Sequence, residues 1–499
     1  MLWFVKVIYV RMWNIRRGKQ RREYSILKKQ TALILSVLAC LSFLISSCGK
    51  IETKEIENEN SHDNVEFIPK SKPAGSEAKY KISLEMDEKG KFRVNSTSKI
   101  KNISTDHWKE LVFYFIPNIF TKPNSPQLAT PSYVSIKSIK VDGEKVKFNL
   151  EKDTLKIKLG QELKPNHEVI VNVQYDFTLP KKGLRFTANE KNYFLAQWYP
   201  MIATYRDHKW NKEDYRMRGE TYHTAFSDFE IQYKLSNNLT IISSSDDDTY
   251  PSGKSGILVG KDIKDFYIAL LKEPNVVEKK IGNITIRVFG VDDRKDLHKD
   301  IMKLAIDALT YFQDTIGPYP HKQLDIILDE LGMEYPGVVT ANSIYRGTPV
   351  DEDSLKSMVI HEIAHQWFYG VISNDPYHDA WLDEGLANFA SRLFYAQYQG
   401  EEITVNEEMY KDFPLPVNLS LDEYSLKEQS TYIYGKSQEM LWKVFQENKA
   451  EQQAENFLGE YYENYKFKEI DTNEFIRFLK NYLNLNNDSY FEGWIKLEK

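Results

Sequence analysis

The chain has 499 residues, a formal net charge of −6, 41% hydrophobic and 28% charged residues. This composition suits two to four globular domains with ample core, and it lacks the basic excess that nucleic-acid binding requires. Its only cysteines are Cys40 and Cys48, both in the N-terminal leader, so the folded part has neither disulfides nor a thiolate metal site.

In chain order, residues 14–29 are rich in base (Arg16, Arg17, Lys19, Arg21, Arg22, Lys28, Lys29), and an apolar run follows from Thr31 to Ile45. A basic region, an apolar region and then small residues form a secretory signal. The end of the run, Ile45-Ser46-Ser47-Cys48-Gly49, resembles a bacterial lipobox. That resemblance implies a signal peptide over 1–48, lipidation of Cys48, and a protein held at the outer face of the bacterial cell membrane. The alternative is an uncleaved transmembrane anchor, for which the run is a little short. Either way the basic flank stays inside and the bulk of the chain outside.

Residues 49–76 are polar and charged, with Lys72-Pro73-Ala74-Gly75 near the end, and read as a flexible tether. From 77 to 275 the pattern is strand-like. Val169–Tyr175 alternates, two short alternating runs flank Glu151-Lys152-Asp153, and Val141-Asp142-Gly143-Glu144 signals a hairpin. An all-β, sandwich-like domain is expected there. After 276 strands and helices mix. Ile284–Phe289, Leu324–Leu328 and Val338–Ser343 read as strands, and Asp296–Ile316 as a helix stopped by Gly317-Pro318. A helix capped by Asp353 or Ser354 is expected to run to about Gly370, and another to span Asp379–Gln397. From 401 to 499 helical patterns dominate. The fold class expected is multidomain α+β.

The chemistry concentrates at His361-Glu362-Ile363-Ala364-His365. On a helix this spacing puts both imidazoles on one face, where they can bind one Zn²⁺ while Glu362 reaches the attacking water. Glu384, in Trp381-Leu382-Asp383-Glu384-Gly385, supplies a carboxylate as third ligand.

These motifs resemble the aminopeptidase N-like gluzincin peptidases. Their H-E-x-x-H and W-L-x-E-G motifs are present, Gly332-Met333-Glu334-Tyr335-Pro336-Gly337 resembles their exopeptidase motif, and Tyr434-Gly435-Lys436-Ser437 resembles their Tyr-x-Lys-Gly. The resemblance implies a thermolysin-like catalytic domain over 276–400, completed by a reduced helical part over 401–499. It implies one zinc on His361, His365 and Glu384, with Glu362 as general base and Tyr434 as oxyanion donor, Tyr432 being the alternative. It implies that Glu334 binds the free α-ammonium of a peptide, that Gly332 and Met333 pair with the substrate main chain, and that Gln197 helps hold the amine. Three positions depart from the pattern: Tyr335 replaces an asparagine, Ser437 a glycine, and Ser391 an acid that supports a ligand histidine. Asn388 or a main-chain carbonyl is expected to substitute for that acid. His378 reads as a loop histidine.

The reading is a zinc aminopeptidase acting on peptides with free N-termini, without nucleic acid or an obligate protein partner. The alternatives are a zinc endopeptidase of the same clan and a catalytically silent surface binding protein. Retention of Glu334 argues against the first, and retention of every ligand and the base against the second.

Overall fold

The computed structural model describes residues 67–189, 192–217, 219–246, 248–290, 294–328, 331–342, 350–400 and 402–497. Cys40, Cys48, the leader and most of the tether lie outside them. Among the described residues no helix is long and apolar enough to cross a membrane.

The N-terminal half is all β, as its alternation predicts. A seven-stranded sheet orders its strands as Ser255–Ile263, Ser227–Leu235, Ser76–Met86, Lys91–Asn102, Glu168–Thr178, Val134–Val141 and Glu144–Lys145. The inward positions of the strand Ser76–Met86 (Ala78, Tyr80, Ile82, Leu84, Met86) are buried and the intervening ones half-buried or exposed, the period-two signature of a sheet with one wet face. The hairpin at Asp142-Gly143 forms with both residues at positive φ. Two four-stranded sheets and a two-stranded one, Thr204–Arg206 with Lys209–Asn211, complete this part.

Residues 68–75, inside the expected tether, are pinned. Lys72 N donates to Glu469 O at 2.7 Å, and Lys72 Nζ pairs with Asp471 at 2.7 Å. Their polar composition hid this, because the partners come from the far end of the chain.

The next sheet has five strands in the order Asn275–Ile281, Ile284–Gly290, Gln323–Ile327, Val338–Thr340 and Met333–Tyr335. Met333–Tyr335 is therefore an edge strand. A separate apolar cluster joins it to the N-terminal β part: Phe194, Tyr267, Ala269 and Leu271 pack with Phe289, Ile327, Met333, Tyr335 and Val338. The Tyr335 ring stacks on Tyr267 at 3.9 Å and 3°. That contact occupies the position where the related motif carries asparagine.

The helices are α1 (Lys295–Thr315), α2 (Glu352–Ala364), α3 (Trp381–Gln399), α4 (Ser437–Glu447), α5 (Ala454–Tyr465) and α6 (Thr472–Tyr482). Three expectations need correction. The cap of α2 is Asp351, which accepts from Ser354 N at 3.0 Å; Asp353 lies within the first turn, and Ser354 is the residue being capped. The same helix ends at Ala364 rather than Gly370, because Gly370 N turns back to His365 O at 2.9 Å and Tyr369 takes φ 110°. Between 402 and 430 there are only short 3₁₀ turns, as the prolines at 414 and 416 break the helical pattern.

A buried polar hub ties the β part to the region after α5. Glu469 accepts from His223 at 2.9 Å and pairs with Arg206 at 2.5 Å, while Asp375 accepts from Asn211 at 2.9 Å. Burial raises the pKa of Glu469, but His223 and Arg206 outweigh it and bring it down to about 2 from an ordinary 4.5. A depressed carboxylate stabilises the fold above its unfolded pKa, and that contribution is lost as pH falls through the folded one. Glu469→Gln is therefore expected to cost up to roughly 3 kcal/mol at pH 7. In urea melts the gap to the parent protein should close between about pH 4.5 and 2; a constant gap would contradict this.

Candidate metal and substrate site

Helices α2 and α3 bring three lone-pair donors together. His361 Nε2 and His365 Nε2 are 3.0 Å apart, and each lies 3.1 Å from Glu384 Oε2. Among the described residues, His361, His365 and Glu384 are the one group arranged to hold a metal ion, with ligand atoms within 4.8 Å of one another. His365 Nδ1 is 2.9 Å from Phe368 O. A carbonyl only accepts, so Nδ1 carries the proton and Nε2 presents its lone pair to the cluster. Donors about 2 Å from a tetrahedral Zn²⁺ stand about 3.3 Å apart, so the residues fit a zinc ion.

The electrostatics agree. Burial resists charge on His365, yet Glu384, Glu334 and Glu362 hold its pKa well above the ordinary value. Glu384 is buried, which raises its pKa, but the two imidazoles bring it far below the usual carboxylate range. Burial and then Glu334 drive Glu362 well above that range. The acids surrounding the cluster thus favour a cation.

The sequence explains how the three meet. His361 lies in the last turn of α2 and His365 is its C-cap; Glu384 is in the first turn of α3. Ser391 Oγ bonds its own helix at Ala387 O, 2.7 Å away, and does not support a ligand. A main-chain carbonyl, that of Phe368, fills the role for His365. Asn388 donates to Tyr434 O at 2.9 Å; burial and then His365 lower the pKa of His361, with Glu384 and Asn388 opposing them.

Tyr434 lies in a π-helical turn, Thr431–Lys436, a distortion common at functional sites. Its hydroxyl donates to Glu384 Oε1, and burial and Glu384 hold its pKa well above 10, so the phenol is neutral. Tyr432 is buried and stacks on Tyr424 at 5.1 Å. It is thus Tyr434 that meets the cluster. Lys436 Nζ ties this turn to the carbonyls of Phe413, Leu415 and Gly493 at 3.0, 2.8 and 2.7 Å. A Cβ on Gly385 would stand 2.6 Å from Ser437 Oγ. The serine that replaces the motif's glycine is therefore accommodated by a glycine on α3.

Glu334 projects from the edge strand on the face opposite Met333 and Tyr335, which are buried in the apolar seam. Gln366, just past α2, accepts from Gly337 N at 2.9 Å and donates to Tyr335 O at 3.1 Å, bracing this hairpin. Burial raises Glu334, with Glu384 adding to the rise and His365 and Arg185 opposing it, to about 7. Gly332 lies against Glu362: a Cβ there would be 2.8 Å from Glu362 Oε1 and 3.0 Å from Met358 Sδ. Gln197 is buried with φ 47°, and its Nε2 has no hydrogen-bond partner among the described residues. It makes no side-chain bond to the cluster. His378 binds Asp375 at 3.0 Å, as a loop histidine.

Sequence reading did not single out Arg185 and Glu220. Both sit in irregular stretches before the motifs, yet the charge of Arg185 acts on Glu334 and Glu362, and that of Glu334 acts on Glu220. Gln366 carried only its adjacency to His365.

Residues 301–494 match the Peptidase family M1 domain. The chain is 26% identical over 303 residues to aminopeptidase N of Lactobacillus helveticus, covering 54% of this chain and 33% of that protein. To probable aminopeptidase 2 of Sulfurisphaera tokodaii it is 22% identical over 327 residues, covering 59% and 38%. It thus spans little more than a third of the length of these curated relatives. Its fold is similar to that of an M1 zinc metallopeptidase point mutant from Deinococcus radiodurans solved with a Tyr-Ser-Ala substrate: TM-score 0.57, 14% identity, 85% of this chain and 96% of that one. The chain has the α+β fold of the M1 zinc metallopeptidases and a sequence relationship to the aminopeptidases of that family.

Metal binding should be visible in stability, because converging acceptors gain most from a cation. Adding Zn²⁺ to chelator-stripped protein is expected to raise Tm, and Glu384→Gln to remove most of the gain. An equal rise in that variant would place the metal elsewhere.

Proposed function

We propose that the protein is a zinc-dependent aminopeptidase that removes N-terminal residues from peptides. The observation carrying this reading is the convergence of His361, His365 and Glu384, with Tyr434 donating to Glu384 and Gly332 lying against Glu362. In this reading one zinc per chain is held by these three residues. Bound there, it supplies Lewis acidity that lowers the pKa of water and polarises the scissile carbonyl.

The chain's own residues do the rest. Glu362 takes a proton from the attacking water and delivers it to the leaving amine. Tyr434, a neutral phenol, donates to the oxyanion as charge develops on the former carbonyl oxygen. The substrate lies along the edge strand, pairing with the main chain of Gly332 and Met333. Glu334 accepts its α-ammonium, which fixes the scissile bond one residue from the N-terminus. Gln197 helps to hold the amine through its amide oxygen, which can accept from an ammonium. Residues 77–275 form the β domain, 276–400 the catalytic domain and 401–499 the helical completion. Lipidation of Cys48 tethers the enzyme to the outer face of the cell membrane.

Glu362→Gln preserves shape but cannot accept a proton. It is expected to keep its zinc and lose at least ~10²-fold in turnover; near-parental turnover would assign the base elsewhere. The exopeptidase reading is tested with matched peptides. Those with a free N-terminus should be shortened one residue at a time, and acetylated ones left intact. Glu334→Ala should raise KM and lower kcat, since the lost charge-assisted contact is worth roughly 1.5–3 kcal/mol and also sets the register. Internal cleavage of acetylated peptides at comparable rates, unchanged in Glu334→Ala, would make it an endopeptidase.

A further inference from the structure

The peptide unit joining Phe368 to Tyr369 touches the donor cluster directly. Its carbonyl stands 2.9 Å from His365 Nδ1, and its N–H donates to Ile372 O at 2.8 Å. Rotation about the N–Cα bond of Tyr369 sets where that carbonyl points relative to the Tyr369 side chain. The angle there is φ 110°, which a bulky residue keeps only when its surroundings impose it. Those surroundings are a hydrogen-bond chain. The Tyr369 ring is buried, and its hydroxyl lies 3.1 Å from that of Tyr222. The Tyr222 hydroxyl is in turn 3.2 Å from Asp265 Oδ2. With Asp265 ionised, Tyr369 donates to Tyr222 and Tyr222 to Asp265. Burial raises Asp265 to about 7; once protonated it donates to Tyr222, and the same chain runs in reverse. Both partners in the β part are themselves held. His223, beside Tyr222, bonds Glu469 at 2.9 Å, and Lys264, beside Asp265, donates to Ser373 Oγ at 2.6 Å. Thr224 Oγ1 joins the two segments by donating to Lys264 O at 2.7 Å.

We propose that Tyr222 and Asp265 are positioning residues for the metal centre. Through Tyr369 they hold the Phe368 carbonyl on His365 Nδ1, which keeps the lone pair of Nε2 aimed at the ion. The claim rests on the reading of His365 as a zinc ligand. A ligand imidazole whose other N–H is held by a fixed acceptor is a better aimed and more basic donor. Without the chain the Tyr369 backbone can relax, the carbonyl turns from Nδ1, and zinc is held less tightly.

The test measures zinc affinity by competition with a chromogenic chelator, using folded, chelator-stripped parent, Tyr222→Phe, Tyr369→Phe and the double variant. Each phenylalanine keeps the ring and deletes one hydroxyl. Both single variants are expected to bind zinc about tenfold more weakly. The double variant should bind no more weakly than either, because the hydroxyls act as one chain. Asp265→Ala should match Tyr222→Phe, and Asp265→Asn, which keeps an acceptor oxygen, should recover most of the affinity. The control is Tyr175→Phe, which removes a buried hydroxyl that donates to Trp198 O at 2.8 Å within the β part. It should lower Tm and leave zinc affinity parental. Parental affinity in folded Tyr222→Phe or Asp265→Ala overturns the proposal, as do losses that add in the double variant. An equal loss of affinity in Tyr175→Phe also overturns it, since the effect would then be one of general stability. If Asp265→Ala does not fold, the two phenylalanine variants decide. A parent that binds zinc no better than Glu384→Gln would overturn the metal assignment itself, a result separable from failure of the chain variants.

Discussion

Three lone-pair donors within 3.1 Å of one another, two from α2 and its cap and one from α3, are the constraint on which the rest of the structure depends. Such acceptors repel unless a cation lies between them, so the fold must hold them in place by other means. Helix α2 stops at His365 because Tyr369 and Gly370 fold the chain back, and the same turn offers the Phe368 carbonyl to Nδ1. Gly385 lets the turn bearing Tyr434 approach α3, and Lys436 anchors that turn to three carbonyls. Each device fixes a direction as well as a place, which a site of preorganised charge requires.

The surrounding acids follow the same logic from the substrate's side. The edge strand Met333–Tyr335 buries its odd residues in the seam with the β part and turns Glu334 the other way. The stacking of Tyr335 on Tyr267 explains why an aromatic ring serves in place of the related motif's asparagine: here the position is used for packing between two sheets. The β part thus supplies the ring that steadies the edge strand.

Local patterns in the sequence were legible. Alternation located the long strands, and H-E-x-x-H with the later glutamate located all three donors, because both signals depend on short-range periodicity. Much of what stayed hidden depends on distant partners. The pinning of Lys72 to Glu469 and Asp471 has no signature in its own neighbourhood; the cap at Asp351 and the turn at Tyr369 are local, but Asp353 and Ser354 are equally good capping types and a positive φ is unusual for a tyrosine. Arg185 and Glu220 are ordinary charged residues until the fold buries them as a pair. The helical pattern after 401 misled because apolar spacing was weighed above the prolines that interrupt it.

A crystal structure with a free amino acid bound, with anomalous data at the zinc edge, tests the central claim most directly. The account predicts one anomalous peak about 2 Å from His361 Nε2, His365 Nε2 and a Glu384 oxygen, with the ligand's ammonium on Glu334. A zinc peak elsewhere, or an ammonium held away from Glu334, would contradict it.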